Sequence, residues 1–384
     1  MNTITLILSL CLGLASPQQS AEGAAEAFLG KPEFSMQRVF EKQRFPCIVV
    51  AMDGTVIATF GGSGVLARRS EDAGKTWGEP ITILDKGIQG GGTIVDEGTG
   101  DVLAFVEAQH PPADLSILRS RDHGKTWEAQ EVHIKPNSLG HLPSMHMNDS
   151  GITLRRGKHK GRLIRPTRFY AGTNSSQAWP EHYTNAMYSD DGGRTWQTSE
   201  PFPEKGTGEA TLAELADGSI YYNSRVHWPK AQNPLRRHSA RSQDGGHTWT
   251  DWAIIEVLPD GNQTSAYGCM GGLIRLPIKG RDVLIFSNLD TTKSNRERIT
   301  VWASFDGGKS WPLKRLMFDG SSAYSSLTAG CPGTATDGWI YLQFEGGPGG
   351  GCQVARFNLA WVLGGQSTSD GELPSWLPKV AADK

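Results

Sequence analysis

One octapeptide recurs five times, as SEDAGKTW at 70–77, SRDHGKTW at 120–127, SDDGGRTW at 189–196, SQDGGHTW at 242–249 and SFDGGKSW at 304–311. At this spacing Asp and Gly build a tight turn, the carboxylate accepting backbone N–H groups and the glycine supplying positive φ. The tryptophan that follows starts the next strand and fills the gap between neighbouring sheets. This hairpin-stabilising reading is preferred to five carbohydrate or calcium sites. The boxes start 50, 69, 53 and 62 residues apart, intervals that each suit one four-stranded propeller blade. The length accommodates six such units, five of them carrying the box. The sixth joins a strand near SMQRVF to C-terminal strands near GWIYLQFE and CQVARFNLAWVL, leaving no sheet edge open. The predicted fold is all-β, a six-bladed β-propeller of four-stranded antiparallel blades with five Asp boxes, spanning 36–366 between a linker at 22–35 and a tail at 367–384. Alternating stretches such as CIVVAMDGTVIATF and AELADGSIYYNSR supply the strands, while 133–150 and AGTNSSQAWPEHY read as long loops.

Composition agrees: 47 glycines and 12 tryptophans among 384 residues describe a turn-rich chain with large apolar anchors. A net charge of -2 gives no bulk attraction to nucleic acid or an anionic membrane, so an anionic ligand must be met by a local charge cluster. Residues 1–21 read as a signal peptide, with an apolar run at 4–15 and small residues offering cleavage near Ala15 or Ala21. The run is too short to span a bilayer comfortably, and the mature protein is expected to be secreted or periplasmic. Cys47, Cys269, Cys331 and Cys352 then remain. A Cys331–Cys352 bridge and four free thiols are both open, and the absence of any CxxC pair argues against a thiolate zinc site. No cofactor is expected. His133, His141 and His146 share one loop without a recognised metal-ligand spacing, so no metal is expected.

Between the boxes lie segments of another kind. Arg44-Phe45-Pro46 precedes an apolar strand and the MDGT turn; EATLAELADGSIYYNSR carries Glu209 and Arg225; FSNLDTTKSNRERITVWASFDGG carries Arg296 and Arg298, the register favouring Arg296; SSAYSSL carries Tyr324; DGWIYLQFE ends in Glu345. Over about residues 40–360 the chain resembles the sialidase (exo-α-neuraminidase) superfamily of Asp-box propellers. The resemblance implies that Arg44, Arg225 and Arg296 form the family's substrate-binding arginine triad, that Tyr324 is the catalytic nucleophile and Glu209 its general base, and that Glu345 supports Arg44. It implies a retaining exo-glycosidase acting on terminal sialic acid, or a related 2-keto-3-deoxy sugar acid, of glycoconjugates; the partners are sialylated or other acidic glycans.

The residue types suit that chemistry. Three guanidiniums hold a carboxylate by charge-assisted, partly bidentate bonds. A carboxylate nucleophile would be repelled by the substrate's own carboxylate, so a phenol attacks instead, as in the tyrosine-dependent exceptions among glycosidases. Its ordinary pKa of about 10 calls for a base.

The resemblance breaks at the acid/base aspartate, whose place falls on Gly61 in a loop, GGSGVLARR, without any carboxylate. A second family aspartate is also replaced, by the glycines of QGGGTIVDEGTG. Three explanations stay open. Another loop supplies the proton, with Asp149, His146, Glu107 and His110 as candidates; the true substrate is a different anionic sugar that needs no acid; or the protein is a catalytically impaired glycan-binding propeller. Arg165 and Arg168, in GRLIRPTRFYAG, are expected to face solvent rather than the cavity, where they would read a second anionic group.

Overall fold

The computed structural model describes residues 22–42, 44–144, 149–173, 175–226, 236–261, 268–291 and 295–378. The expected leader at 1–21, His146 and the last residues of the tail lie outside the described residues. The fold is all-β, built of antiparallel four-stranded sheets. Cys47–Val50, Val56–Phe60, Val65–Ser70 and Ile81–Leu84 form the first sheet in chain order, and Ile88–Val95, Val102–Glu107, Leu115–Ser120 and Glu128–Gln130 the second. Ile152–Thr153, Leu163–Phe169, Tyr183–Ser189 and Thr195–Thr198 follow, then Thr207–Glu214, Ile220–Val226, Arg236–Ser242 and Thr250–Pro259. The last two groups are fused: the 17-residue strand Leu313–Ala329 pairs with Glu297–Ser304 through its first half and with Ile340–Gly346 through its second. Phe34–Phe40 pairs antiparallel with Cys352–Phe357, covering that edge with the N-terminal strand. The inner strands of successive sheets touch in a closed circuit, Cys47–Val50 lying between Ile88–Val95 and Leu313–Ala329.

The octapeptides are the turns that the sequence predicts. In the box at 189–196, Ser189 Oγ donates to Asp191 Oδ1 at 2.8 Å, and the N–H groups of Arg194 and Thr195 donate to the same oxygen at 3.0 and 2.9 Å. Burial opposes charge on Asp72, but its bonds from Thr76, Ser70 and Lys75 win and hold its pKa at about 2. The fourth residue of each box also has positive φ; three boxes use glycine there, whereas Ala73 (61°) and His123 (57°) adopt the left-handed conformation without it. Trp196, Trp249 and Trp311 are buried between sheets, and Trp77 and Trp127 half-buried.

Three local expectations are corrected. CQVARFNLAWVL does not continue as a strand: Asn358 accepts the N–H of Trp361 and starts a short helix, Leu359–Leu363, an ordinary N-cap role for asparagine. The stretch from 133 is not all loop, because His133–Lys135 adds in parallel to Thr195–Thr198. Residues ahead of the first strand are anchored, with Phe28 fully buried and Gly23 N bonded to Pro277 O. Cys47, Cys269, Cys331 and Cys352, the cysteines among the described residues, are free thiols.

Candidate active site

The site gathers at the end of the inner strands where Cys47–Val50, Ile88–Val95 and Thr207–Glu214 begin. Tyr324 Oη donates to Glu209 Oε1 at 3.0 Å, and Arg225 Nη1 donates to Glu209 Oε2 at 2.5 Å. All three are nearly enclosed: Glu209 is 0%, Arg225 1% and Tyr324 3% exposed. Burial, with the Glu209 charge, pushes the Tyr324 phenol well above its ordinary pKa, against the pull of Arg296 and Arg225. Burial also works against charge on Arg225, but Glu209, Tyr324 and Asp260 outweigh it and hold the guanidinium protonated.

Arg44 and Arg296 converge on the same phenol, their guanidinium carbons 5.6 and 5.0 Å from the Tyr324 ring centroid. Arg298 turns to Asp319 on the surface, whereas Arg296 lies over the Tyr324 ring. Phe45, in left-handed conformation at φ 56°, lies 4.2 Å beneath the Arg44 guanidinium and stacks on Tyr324. Glu345 Oε1 accepts the Phe45 N–H at 2.8 Å. Burial raises its pKa, opposed most by the Arg44 charge. Glu345 thus acts on the Arg44 segment through the Phe45 backbone rather than through an ion pair with the guanidinium.

Other residues of the site escape sequence reasoning. Arg237, fully buried, reaches Asn223 Oδ1 at 2.8 Å, Asp260 Oδ1 at 3.3 Å and the Glu209 carbonyl at 3.3 Å. Asp260 in turn accepts the Val226 N–H at 2.7 Å, next to Arg225. Nothing local marks Arg237, whose strand is covered on both faces; Asp260 sits in a PDG stretch that reads as a turn.

Arg165 and Arg168 are not solvent-facing: they are 0% and 2% exposed. Leu163–Phe169 is covered on both faces by neighbouring sheets, so it has no outward side. Arg165 lies 4.1 Å over the Phe105 ring and bonds the Gly91 carbonyl. Arg168 contacts His182 Nδ1 at 2.8 Å and lies over the Tyr170 ring. Burial, then Arg168, lowers the His182 pKa to about 4, so the imidazole is neutral and accepts at Nδ1.

The replacement acids fall in different places. Asp149 is 1% exposed on the central axis, where Ser326 Oγ (2.7 Å), Thr211 Oγ1 (3.1 Å) and Leu273 N (3.2 Å) donate to it. It therefore ties three sheets together through Ser326 and Thr211, each two residues along the chain from Tyr324 and Glu209. Burial raises its pKa to about 6. Glu107 and His110 lie near the site: His110, in an exposed loop, experiences the charges of Arg168, Arg44 and Glu209. Of the other loop histidines, His141 stacks on Phe169 and His133 faces Glu131 at the surface. No cluster of metal-ligating side chains occurs among the described residues.

Gly61 has become structural. Its N–H donates to Arg44 O and its carbonyl accepts from Gln89 N, and a Cβ there would lie 2.3 Å from the Gly64 carbonyl oxygen. At the opposite end of the axis is a cavity of about 160 Å³, but its arginines are already matched, Arg155 to Glu97, Arg156 to Glu214 and Arg275 to Asp282.

Residues 61–335 match the family model of the BNR repeat-like domain. The chain is 32% identical over 393 aligned residues to a sialidase of Micromonospora viridifaciens, an alignment covering 91% of this chain and 58% of that one. It is 30% identical over 300 residues to a sialidase of Bacteroides fragilis, covering 68% and 51%. The chain thus spans a little over half the length of these relatives. Its fold resembles the intramolecular trans-sialidase from Ruminococcus gnavus (TM-score 0.64, 16% identity, 91% of this chain and 99% of that one) and a Hadza microbial sialidase (0.63, 23%, 89% and 68%). Fold and repeat together make this a BNR-repeat protein. More narrowly, the chain belongs to the sialidase superfamily.

Proposed function

We propose that this chain is a retaining exo-glycosidase that releases terminal sialic acid, or a related 2-keto-3-deoxy sugar acid, from glycoconjugates. The observation that carries this reading is the hydrogen-bonded line Tyr324–Glu209–Arg225 with two further guanidiniums over the tyrosine ring. Arg44, Arg225 and Arg296 bind the sugar carboxylate and present the anomeric carbon to the phenol. As the tyrosine oxygen bonds to that carbon, the bond to the leaving group breaks and the phenolic proton passes to Glu209. Proton transfer must accompany attack, because the buried phenol does not ionise by itself near neutral pH. Water then cleaves the tyrosyl–sugar bond from the same face, so configuration is retained. We read the sheets as six blades of one propeller within 36–366 and the chain as exported, a reading supported by the apolar run at 4–15.

The test is turnover of an activated aryl sialoside, with the first-formed anomer read by proton NMR. Tyr324→Phe and Arg296→Ala should each abolish it while the protein stays folded; unchanged rates in both refute the assignment. The closed loop at Gly61 favours a second reading, a glycan-binding propeller without turnover. Glycan binding with no free sugar acid released, even from the aryl substrate, would establish it. Release from a different acidic aryl glycoside would instead redirect the substrate class.

A further inference from the structure

Resting on the hydrolase reading, we infer that Glu107 is the proton donor to the leaving group. Its position differs from that of an acid carried by the loop at Gly61. Glu107 ends the second strand of its sheet and folds across the inner strand: Oε2 lies 2.8 Å from where a Cβ of Gly90 would stand, and Cγ and Cδ lie 3.1 Å from the same point. Any side chain at Gly90 would occupy that space. The glycines of QGGGTIVD are thus the counterpart of the glutamate: removing a side chain from the inner strand admits a carboxylate from the next strand out.

The carboxylate is held in place. Ser144 Oγ donates to Glu107 Oε1 at 2.6 Å, and the Ser144 backbone pairs with Arg168 in both directions, at 2.7 and 2.8 Å. Packing and charge link Glu107 to the reaction centre. Tyr170, its pKa pushed up to about 12 chiefly by burial, experiences Arg168, Glu107 and Glu209 together. Ile88, opposite Glu107 in the ladder, packs against the cluster containing Phe45 and Tyr324, and the neighbouring Gln89 side chain donates to Phe45 O at 3.0 Å. At 1% exposure Glu107 is no more enclosed than Glu209.

The rivals fit less well. Asp149 lies beneath the floor and is bonded to three sheets. His110 has its pKa lowered by burial and then by Arg168 and Arg44, which leaves little imidazolium to donate at neutral pH. In the first step Glu107, as the carboxylic acid, gives its proton to the glycosidic oxygen as the carbon–oxygen bond breaks. In the second the carboxylate takes a proton from the water that attacks the tyrosyl–sugar bond, which restores the acid.

Leaving-group dependence tests this in the full chain. Glu107→Gln should lower kcat/KM on sialyllactose, whose alkoxide needs a proton, by about 10²- to 10⁴-fold, while kcat/KM on a 4-nitrophenyl sialoside, which reports only formation of the tyrosyl–sugar bond, stays within roughly tenfold. His110→Ala should leave the ratio of the two substrates unchanged. If Glu107→Gln does not fold, Ser144→Ala, which keeps the carboxylate and removes its hydrogen bond, should shift the ratio in the same direction by a smaller factor. Equal losses on both substrates, no loss on either, or a ratio that responds to His110 and not to Glu107 overturns the assignment. Failure of the unsubstituted chain to cleave the aryl substrate refutes the hydrolase reading itself, and this assignment with it.

Discussion

Glu209 links Tyr324 to Arg225: one carboxylate oxygen accepts the phenol and the other the guanidinium, so one side chain holds both groups. Glu209→Gln should therefore reduce kcat on an aryl sialoside by about 10²- to 10⁴-fold with a smaller effect on KM. It also leaves Arg225 buried without its carboxylate, a loss of about 3–5 kcal/mol. Tyr324→Phe removes one hydrogen bond, about 1 kcal/mol, yet should be at least as inactive. Kinetics paired with calorimetric melts will show whether the two rankings differ in this way.

Arg296 lies beside the phenol without being enclosed like Arg225, so it can be removed with little effect on the fold. Losing one charge-assisted contact to the substrate carboxylate costs about 1.5–3 kcal/mol, so Arg296→Ala should weaken binding of a 2,3-didehydro sialic acid analogue by roughly 10- to 150-fold. Isothermal titration measures this directly. Arg298→Ala, at the Asp319 surface pair, should leave the affinity unchanged.

Asp149 predicts a pH dependence of stability. Its folded pKa, about 6, is raised above the ordinary carboxylate value because burial outweighs its hydrogen bonds. The native state therefore holds this proton more tightly than the unfolded chain. The resulting stabilisation is complete below about pH 4 and is lost as pH rises through 6, amounting to about 3 kcal/mol. Asp149→Asn cannot ionise, so the melting temperature of the parent relative to this variant should fall between pH 4.5 and 7.5. A difference that is flat with pH would show that Asp149 is charged throughout.

Reinstating an aspartate at residue 61 should not restore proton donation. A side chain there meets the Gly64 carbonyl oxygen and Val65 Cα, so the loop must open and give up the bonds that Gly61 makes to Arg44 and Gln89. Gly61→Asp should lower the melting temperature and fail to raise sialyllactose turnover, as thermal melts and product assays will record.

Which residues could be located from sequence follows from physics. The boxes carry their own hydrogen-bond partners within eight residues, so Asp191 and Trp196 could be placed without the fold. Tyr324, Glu209 and the arginines came from segment likeness, and their convergence depends on strands 115 residues apart. Arg165 and Arg168 misled because alternation identifies an outward side only where one face of a sheet meets water, and Leu163–Phe169 has none. Glu107 could be named as a candidate but not ranked, since its reach over Gly90 depends on two strands packing side by side. Asp149 reads as a loop acid because nothing local marks its burial among three sheets.

Leu313–Ala329 is one strand shared by two sheets, and it presents Tyr324 just after it passes from one to the other. Tyr324 therefore sits on a joint rather than within a self-sufficient unit. Fraying of either sheet releases it, and the Ser326 link to Asp149 extends that dependence to the axis. Local openings that other regions tolerate should be silent here only when they leave this strand in place. Along a denaturant titration, catalytic output should vanish together with the global transition or ahead of it, never after.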